Sequence, residues 1–421
     1  MKVYMVGGAV RDKILNRPVH DRDFVVFGTT PEIMLSQGYK KVGKHFPVFL
    51  HPETGEEYAL ARKEIKTGSG HKDFEFIFTP DITIKEDAIR RDFTCNALYE
   101  DINTGEIIDY HNGQSDIEAR ILRHISPHFV EDPLRVLRMC RFSAELDFMV
   151  APETMALCQQ MVQDGALKCL SKDRIWQEFE KALASENFYH FIENARECGA
   201  LKILLPEVEE LFRVPERTDF HPEGNSGAHT LLTLKAAQSS DSLINYAALL
   251  HDIGKIKTDP KCWPSHRGHD KLGVDVVKNI GKRLKIPTLY TEFAAFTAQH
   301  HMIYHQKIEE NLREIADIAI QLSRFQHKDY CKRFIAVLKA DMHGRGIKAT
   351  GEEIELFKNF EDYMQQLVMA AKNKKPSELL GFENYIAGIK DGSLSPSILN
   401  DAYITALLEE NPYISRQKHS E

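Results

Sequence analysis

Apolar residues change their spacing along this chain. Up to about Phe78 they fall in short runs between glycine-rich and polar turns, whereas from about Lys85 onward they recur three and four residues apart. The first pattern suits strands and short helices, the second packed helices. Lys2–Val6 is predicted as a strand, Gly7-Gly8 as a turn, residues 9–15 as a helix and Asp23–Phe27 as a second strand. Residues 56–61 and 74–78 read as further strands, and Lys66-Thr67-Gly68-Ser69-Gly70 has the composition of a mobile loop. Ile89, Phe93 and Ala97 recur every four residues, which predicts a buried helical stripe that leaves Arg91 and Asn96 facing a cleft. Asp132-Pro133 fits an N-cap followed by proline at the first helical position, and Ser171 precedes a helical stretch over 172–184. With breaks near 214–225 and 344–351, the expected architecture is α+β. An α/β head (1–140) is followed by an all-α remainder: a neck (141–225), a third domain (226–345) and a helical tail (346–421).

Length supports that division, since 421 residues exceed what one hydrophobic core serves. Hydrophobic content of 43% with 28% charged residues is that of a globular protein, and no apolar run approaches the ~20 residues of a membrane helix. The N-terminus has no basic lead-in beyond Lys2 and runs straight into Arg11-Asp12-Lys13, so no signal peptide is expected. Seven cysteines without CxxC spacing suit reduced thiols and a cytoplasmic location. A net charge of -8 gives no global attraction for nucleic acid, so any polyanion must be held by local basic patches.

Three constellations suggest chemistry in the first half. Gly7-Gly8-Ala9-Val10-Arg11-Asp12 places glycines between strand and helix, where backbone N–H groups approach phosphate oxygens and Arg11 adds a charge. Asp21 and Asp23 alternate on an extended segment, so both carboxylates project to one side and can share divalent ions, as phosphoryl transfer by two metals requires. Glu57 on a later strand is a third candidate. A lone DxD is usually a surface turn; the neighbouring glycine bend shifts that balance. Arg90-Arg91-Asp92-Phe93-Thr94-Cys95-Asn96-Ala97 offers donors for a triphosphate, although paired arginines on a helix are more often a solvated face. In Glu131-Asp132-Pro133-Leu134-Arg135-Val136-Leu137-Arg138-Met139-Cys140-Arg141-Phe142, Arg135, Arg138 and Arg141 stand three apart on one ridge. Asp132 as acceptor and Arg135 as donor match the Watson–Crick edges of cytosine and adenine, which both pair an exocyclic amino group with a ring-nitrogen acceptor. The plainer reading is an Asp132–Arg135 capping ion pair.

In this order and spacing, these motifs resemble the bacterial CCA-adding enzymes, tRNA nucleotidyltransferases of the DNA polymerase beta superfamily. The resemblance covers the first ~230 residues. It implies that Asp21 and Asp23 hold Mg2+, that Gly8, Arg11, Arg91, Arg138 and Arg141 bind ATP or CTP, and that Asp132 and Arg135 act as a protein template. The segment Leu170-Ser171-Lys172-Asp173-Arg174-Ile175-Trp176 looks like the helical neck of such enzymes, with Arg174 toward the tRNA.

A second set lies at His229, His251-Asp252 and Asp341, where an apolar helix over 243–250 runs into His251-Asp252-Ile253-Gly254-Lys255. Imidazole with carboxylate suits Mn2+, Ni2+, Co2+ or Mg2+ with water kept as nucleophile, and His266, His269, His300, His301 and His305 are further possible ligands. This set resembles the HD family of metal-dependent phosphohydrolases. Head, neck and HD domain together resemble the long multifunctional CCA proteins. That implies phosphatase, 2'-nucleotidase and 2',3'-cyclic phosphodiesterase activities beside addition of C, C and A to tRNA, in a monomer or homodimer. Two other readings stay open: a poly(A) polymerase of the same superfamily, and a nucleotide-sensing or tRNA-binding protein with an inactive head. Residues 346–421 carry no assignable motif.

Overall fold

A computed structural model describes residues 1–19, 21–42, 48–66, 74–325, 329–379, 382–390, 393–395 and 397–409. The expected loop at 66–70 lies outside these apart from Lys66. The chain divides into two compact units, Met1–Ala182 with Asn187–Leu204, and Leu183–Glu186 with the chain from Leu205 on.

The first unit opens with β1 (Lys2–Val6), α1 (Gly8–Ile14), β2 (Asp23–Phe27), α2 (Pro31–Ser36), β3 (Lys40–Val42), β4 (Val48–Leu50) and β5 (Glu57–Leu60). It continues with β6 (Lys63–Lys66), β7 (Phe74–Ile77), α3 (Ile84–Ala88), β8 (Leu98–Asp101), β9 (Ile107–Asp109), α4 (Gly113–Glu118) and β10 (Ile121–Leu122). Seven strands form one mixed sheet in the order β3-β4-β5-β2-β1-β8-β9. In its centre β1 runs antiparallel to β2 and β2 parallel to β5, which aligns Val6, Asp23 and Glu57 across three strands. The two-residue alternation of side chains then builds a core on each face. Tyr4, Val6, Val25, Phe27 and Tyr99 pack on one side, and Val3, Phe24, Val26, Phe49 and Tyr58 on the other.

The helical stripe expected over 89–97 does not form. α3, started by a Thr83/Glu86 capping box, ends at Ala88, and Ile89 is 37% exposed. Phe93 is extended and bridges His124, and a single 3-10 turn, Thr94–Asn96, precedes β8. The cause is local competition for backbone donors: the Asp92 carboxylate accepts from Phe93 N–H at 2.8 Å and from the Asn96 amide at 3.2 Å. Phe93 and Ala97 are nevertheless buried, as their apolar character requires.

Helices α5 (Leu134–Leu146), α6 (Pro152–Gln163), α7 (Lys172–Leu183), α8 (Tyr189–Glu197) and α9 (Ala200–Leu204) follow, with the short β11 (Met149–Val150) between α5 and α6. Asp132 is extended, Pro133 has helical dihedrals and the Asp132 carboxylate accepts from Leu134 N–H at 3.1 Å, the N-terminal geometry expected for α5. The second unit is helical: α10 (Pro206–Leu211), α11 (Ser226–Ala237), α12 (Ser242–Leu250), α13 (His269–Leu284), α14 (Thr288–His300), α15 (Leu312–Arg324) and α16 (Tyr330–His343). α17 (Gly351–Asn373), α18 (Phe382–Lys390) and α19 (Ser397–Glu409) complete it. Among the described residues, no helix is long and apolar enough to cross a membrane.

Candidate active sites

The bend between β1 and α1 needs a left-handed residue, and Gly7 supplies it with φ 70. Gly8 opens α1, and both glycines border a cavity of about 770 Å³. Asp21, Asp23, Arg11, Arg62, Arg90, Arg91, Asp132, Arg135, Arg138, Arg141 and Arg174 line the same space. Asp23 begins β2 and Asp21 lies two residues before the strand, and both line this space. Burial pushes the Asp23 carboxyl upward, Arg91 pulls it back and Asp21 pushes it up again. Adjacent carboxylates in one cavity are the donor set a hard divalent cation takes.

The cavity's basic residues are held by dedicated partners. Arg11 is buried, pairs with Asp12 at 2.8 Å and donates to Asn96 Oδ1 at 2.8 Å. Arg138 donates to Asp92 at 2.5 Å and Arg141 to Glu178 at 2.6 Å. Burial opposes the Asp92 charge, but Arg138 and its hydrogen bonds hold the carboxyl down to about 2. Arg11, Arg138 and Arg141 also gather around the Phe142 ring, at 5.2, 5.1 and 3.8 Å from its centroid. Asp132 and Arg135 both reach the cavity, yet the capping ion pair between them is absent. Asp132 pairs with Arg174 at 3.0 Å, while Arg135 donates to the carbonyls of His128 and Arg90. Glu57, opposite Asp23 in register, is exposed and borders a smaller cavity of about 260 Å³ with Asp23, not the larger one.

In the second unit α11, α12 and α16 bring His229, His251, Asp252 and Asp341 together, all buried. His229 Nε2 lies 2.9 Å from Asp341 Oδ1 and 3.3 Å from His251 Nε2; His251 Nε2 lies 3.3 Å from Asp252 Oδ2. The other oxygen of Asp252 is 3.2 Å from His269 Nε2 and 3.3 Å from His301 Nε2. The Nδ1 atoms of His251, His269 and His301 each meet a carbonyl three residues back, of Ala248, His266 and Ala298, at 2.8 to 2.9 Å. An Nδ1–H bound to a carbonyl leaves the Nε2 lone pair turned inward, so three imidazole lone pairs and two carboxylates converge. A positive charge is favoured there: burial opposes protonation of His251, but Asp252 and Asp341 push it up to about 10. Two groups sharing Asp252 fit divalent cations, His229/His251/Asp252 and Asp252/His269/His301, and a third, His221/Glu223/His229, adjoins the first through His229. Of the other candidate histidines, His266 is tied to Pro215 O and Thr258, and neither His300 nor His305 joins these groups.

Family models match along the chain in the same order: the poly A polymerase head domain over residues 3–123, the probable RNA and SrmB-binding site of polymerase A over 147–212, and the HD domain over 227–331. A multifunctional CCA protein of Neisseria meningitidis serogroup C is 48% identical over 347 residues, 82% of this chain and 83% of that one. Another, from Mannheimia succiniciproducens, is 43% identical over 403 residues, 93% of this chain and 94% of its own length. The chain belongs to the multifunctional CCA proteins. It is therefore a tRNA nucleotidyltransferase that also carries an HD domain. Its fold is that of the Bacillus stearothermophilus CCA-adding enzyme in complex with CTP (TM-score 0.60, 20% identity, covering 99% of this chain and 94% of that one). A tRNA nucleotidyltransferase complexed with a primer tRNA and an incoming ATP analog gives a TM-score of 0.52 at 23% identity, over 87% of this chain and 95% of that one.

Within this CCA protein, Gly8, Arg11, Asp21, Asp23, Arg91, Asp132, Arg135, Arg138 and Arg141 share one cavity in the head, and His229, His251, Asp252 and Asp341 one buried cluster in the HD domain, whereas Glu57, His266, His300 and His305 fall outside them. The sequence assigned no role of their own to Arg62 and Arg90, which line the head cavity, or to Asp92 and Glu178, which hold its arginines; Arg174, expected toward tRNA, pairs with Asp132. Asp92 lies inside a motif already recognised, whereas no spacing links Glu178 to Arg141, 37 residues away.

Proposed function

We propose that the head extends the tRNA 3' end by C, C and A from CTP and ATP without a nucleic-acid template. The supporting observation is one cavity that contains the Asp21/Asp23 pair, an array of arginines and the Asp132/Arg135 pair. Asp21 and Asp23 would hold Mg2+, which on binding lowers the pKa of the attacking 3'-hydroxyl and neutralises charge on the leaving pyrophosphate. In the reaction the 3'-hydroxyl gives up its proton to solvent, its oxygen bonds to the α-phosphorus, the bond to the bridging oxygen breaks and pyrophosphate departs. Gly8, Arg11, Arg91, Arg138 and Arg141 bind the nucleotide: Gly8 offers a backbone N–H at the start of α1, and the guanidiniums of the four arginines match triphosphate charge and geometry. Asp132 accepts from the exocyclic amino group and Arg135 donates to the ring nitrogen, so C and A fit where U and G meet mismatched polarity. For Asp132 this means exchanging Arg174 for the base. Addition to end-trimmed tRNA with each triphosphate supplied singly is the test. Incorporation from CTP alone supports the reading; extension by ATP only, in long runs, favours a poly(A) polymerase, and no pyrophosphate release with any triphosphate favours an inactive head.

For the HD domain we propose phosphohydrolysis at tRNA 3' ends, as phosphatase, 2'-nucleotidase and 2',3'-cyclic phosphodiesterase, with Ni2+, Mn2+ or Co2+ held by His229, His251, Asp252 and Asp341. A cation there supplies an acidified water and neutralises phosphate charge. Lys255, fixed between Asp252 and Glu216 at 2.7 Å to each, keeps the Asp252 carboxylate oriented. Release of phosphate or opening of a 2',3'-cyclic end that survives in His251→Ala and Asp252→Ala counts against this assignment. The corresponding division is head 1–140, neck 141–225 with nucleotide and tRNA contacts, HD domain 226–345 and tail 346–421.

A further inference from the structure

We propose that Asp87 and Tyr99 are positioning residues for the triphosphate: they fix Arg91 and group it with Arg90 and Arg62 as one wall of the head cavity. Neither residue lines that cavity, and both are fully buried. Asp87 Oδ2 accepts from Arg91 Nη2 at 3.2 Å and from the Tyr99 hydroxyl at 2.7 Å. The Tyr99 oxygen in turn accepts from Arg91 Nε at 2.9 Å, which closes a three-membered ring of hydrogen bonds. The remaining guanidinium nitrogen, Nη1, donates to Asn96 O at 3.4 Å and lies 3.6 Å from where a side chain on Gly7 would begin. Arg91 is thus held against the glycine bend, close enough that its charge acts on Asp23.

The other Asp87 oxygen serves the rest of the wall. Oδ1 accepts from Arg90 Nε at 3.2 Å and from the Arg62 backbone N–H at 3.5 Å. The Arg90 and Arg91 guanidiniums repel each other, and a carboxylate placed behind them gathers them while their cavity side stays positive and the Arg62 backbone is anchored beside them. Burial opposes ionisation of Asp87, but the Arg90 and Arg91 charges keep it ionised. A guanidinium already fixed in its binding rotamer loses little conformational freedom when phosphate arrives. The common part of ATP and CTP is the triphosphate, so the effect is independent of the base.

This assignment rests on reading the cavity as the triphosphate site, and one set of variants separates the two. Steady-state kinetics on end-trimmed tRNA would be measured for Tyr99→Phe, Asp87→Asn and Arg91→Ala, with inorganic tripolyphosphate as competing inhibitor. Tyr99→Phe keeps the ring that packs edge-on to Tyr4 and Phe27, at 6.5 and 6.2 Å. In Tyr99→Phe and Asp87→Asn, KM for both nucleotides should rise by the same factor, about tenfold, as one charge-assisted hydrogen bond to Arg91 is lost. Tripolyphosphate inhibition should weaken in parallel, with kcat and the tRNA KM within about twofold of wild type. A folded Tyr99→Phe or Asp87→Asn enzyme with unchanged nucleotide KM, a lowered melting temperature alone, or a change for one nucleotide only would each overturn the assignment. If Arg91→Ala itself leaves nucleotide KM and tripolyphosphate inhibition untouched, it is the triphosphate-site reading that falls.

Discussion

Asp92 joins Arg138, Asn96 and the Phe93 backbone through one buried carboxylate. Its carboxyl is held down to about 2, below the ordinary aspartate value, so it contributes stability that is complete above the unfolded value and lost as pH falls through the folded one. Asp92→Asn should cost on the order of 2 kcal/mol at neutral pH and flatten the stability profile between about pH 4 and 2, as chemical denaturation across that range would show. Asp21→Ala or Asp23→Ala is expected to abolish incorporation of both nucleotides, with tRNA affinity within about twofold of wild type by filter binding. Asp132→Ala should instead leave incorporation measurable and blur base choice. Strict retention of C and A by that variant in single-nucleotide assays would remove the protein-template role.

At the scale of elements, α5 carries the ridge of arginines, and the Asp132 carboxylate accepts from Leu134 N–H where the helix begins. The HD cluster depends on a close approach of the 3-10 turn Ile253–Lys257 to α13. A Cβ on Gly254 would lie 1.9 Å from His269 O and 2.5 Å from Gly273 N, both backbone atoms with no room to yield. Gly254→Ala should therefore push α13 away, separate His269 from Asp252 and lower the melting temperature of the second unit by ~5 °C or more. Calorimetry with a divalent-metal titration would register both losses. Normal metal affinity in that variant would show that the approach of α13 is not needed for the site.

On the molecular scale, the two sites lie in different compact units. His251→Ala and Asp252→Ala should lower HD-dependent phosphate release by more than ~100-fold while CCA addition stays within about twofold of wild type. Chelation followed by Mg2+ alone should restore addition, and hydrolysis should return with Ni2+, Mn2+ or Co2+, measured side by side on one preparation. Loss of both activities in the HD variants would argue for coupling between the units.

The local patterns of the chain determined a good deal. The apolar rhythm placed β1, β2 and α7 within a residue of where they stand, because short apolar runs mark strands buried on both faces and a 3.6-residue period marks a helix with one buried face. The glycine bend with Asp21 and Asp23, and the His251-Asp252 pair, were legible because their geometry is set over a few adjacent residues. Long-range packing decided most of the rest. It gave Asp132 to Arg174 instead of Arg135 and selected His269 and His301 from five candidate histidines, whereas the helix expected at 89–97 yielded to the local capture of the Phe93 and Asn96 donors by Asp92. The first two outcomes depend on residues tens of positions apart, and spacing along a chain carries no record of which distant backbone or charge will be nearest once the cores close.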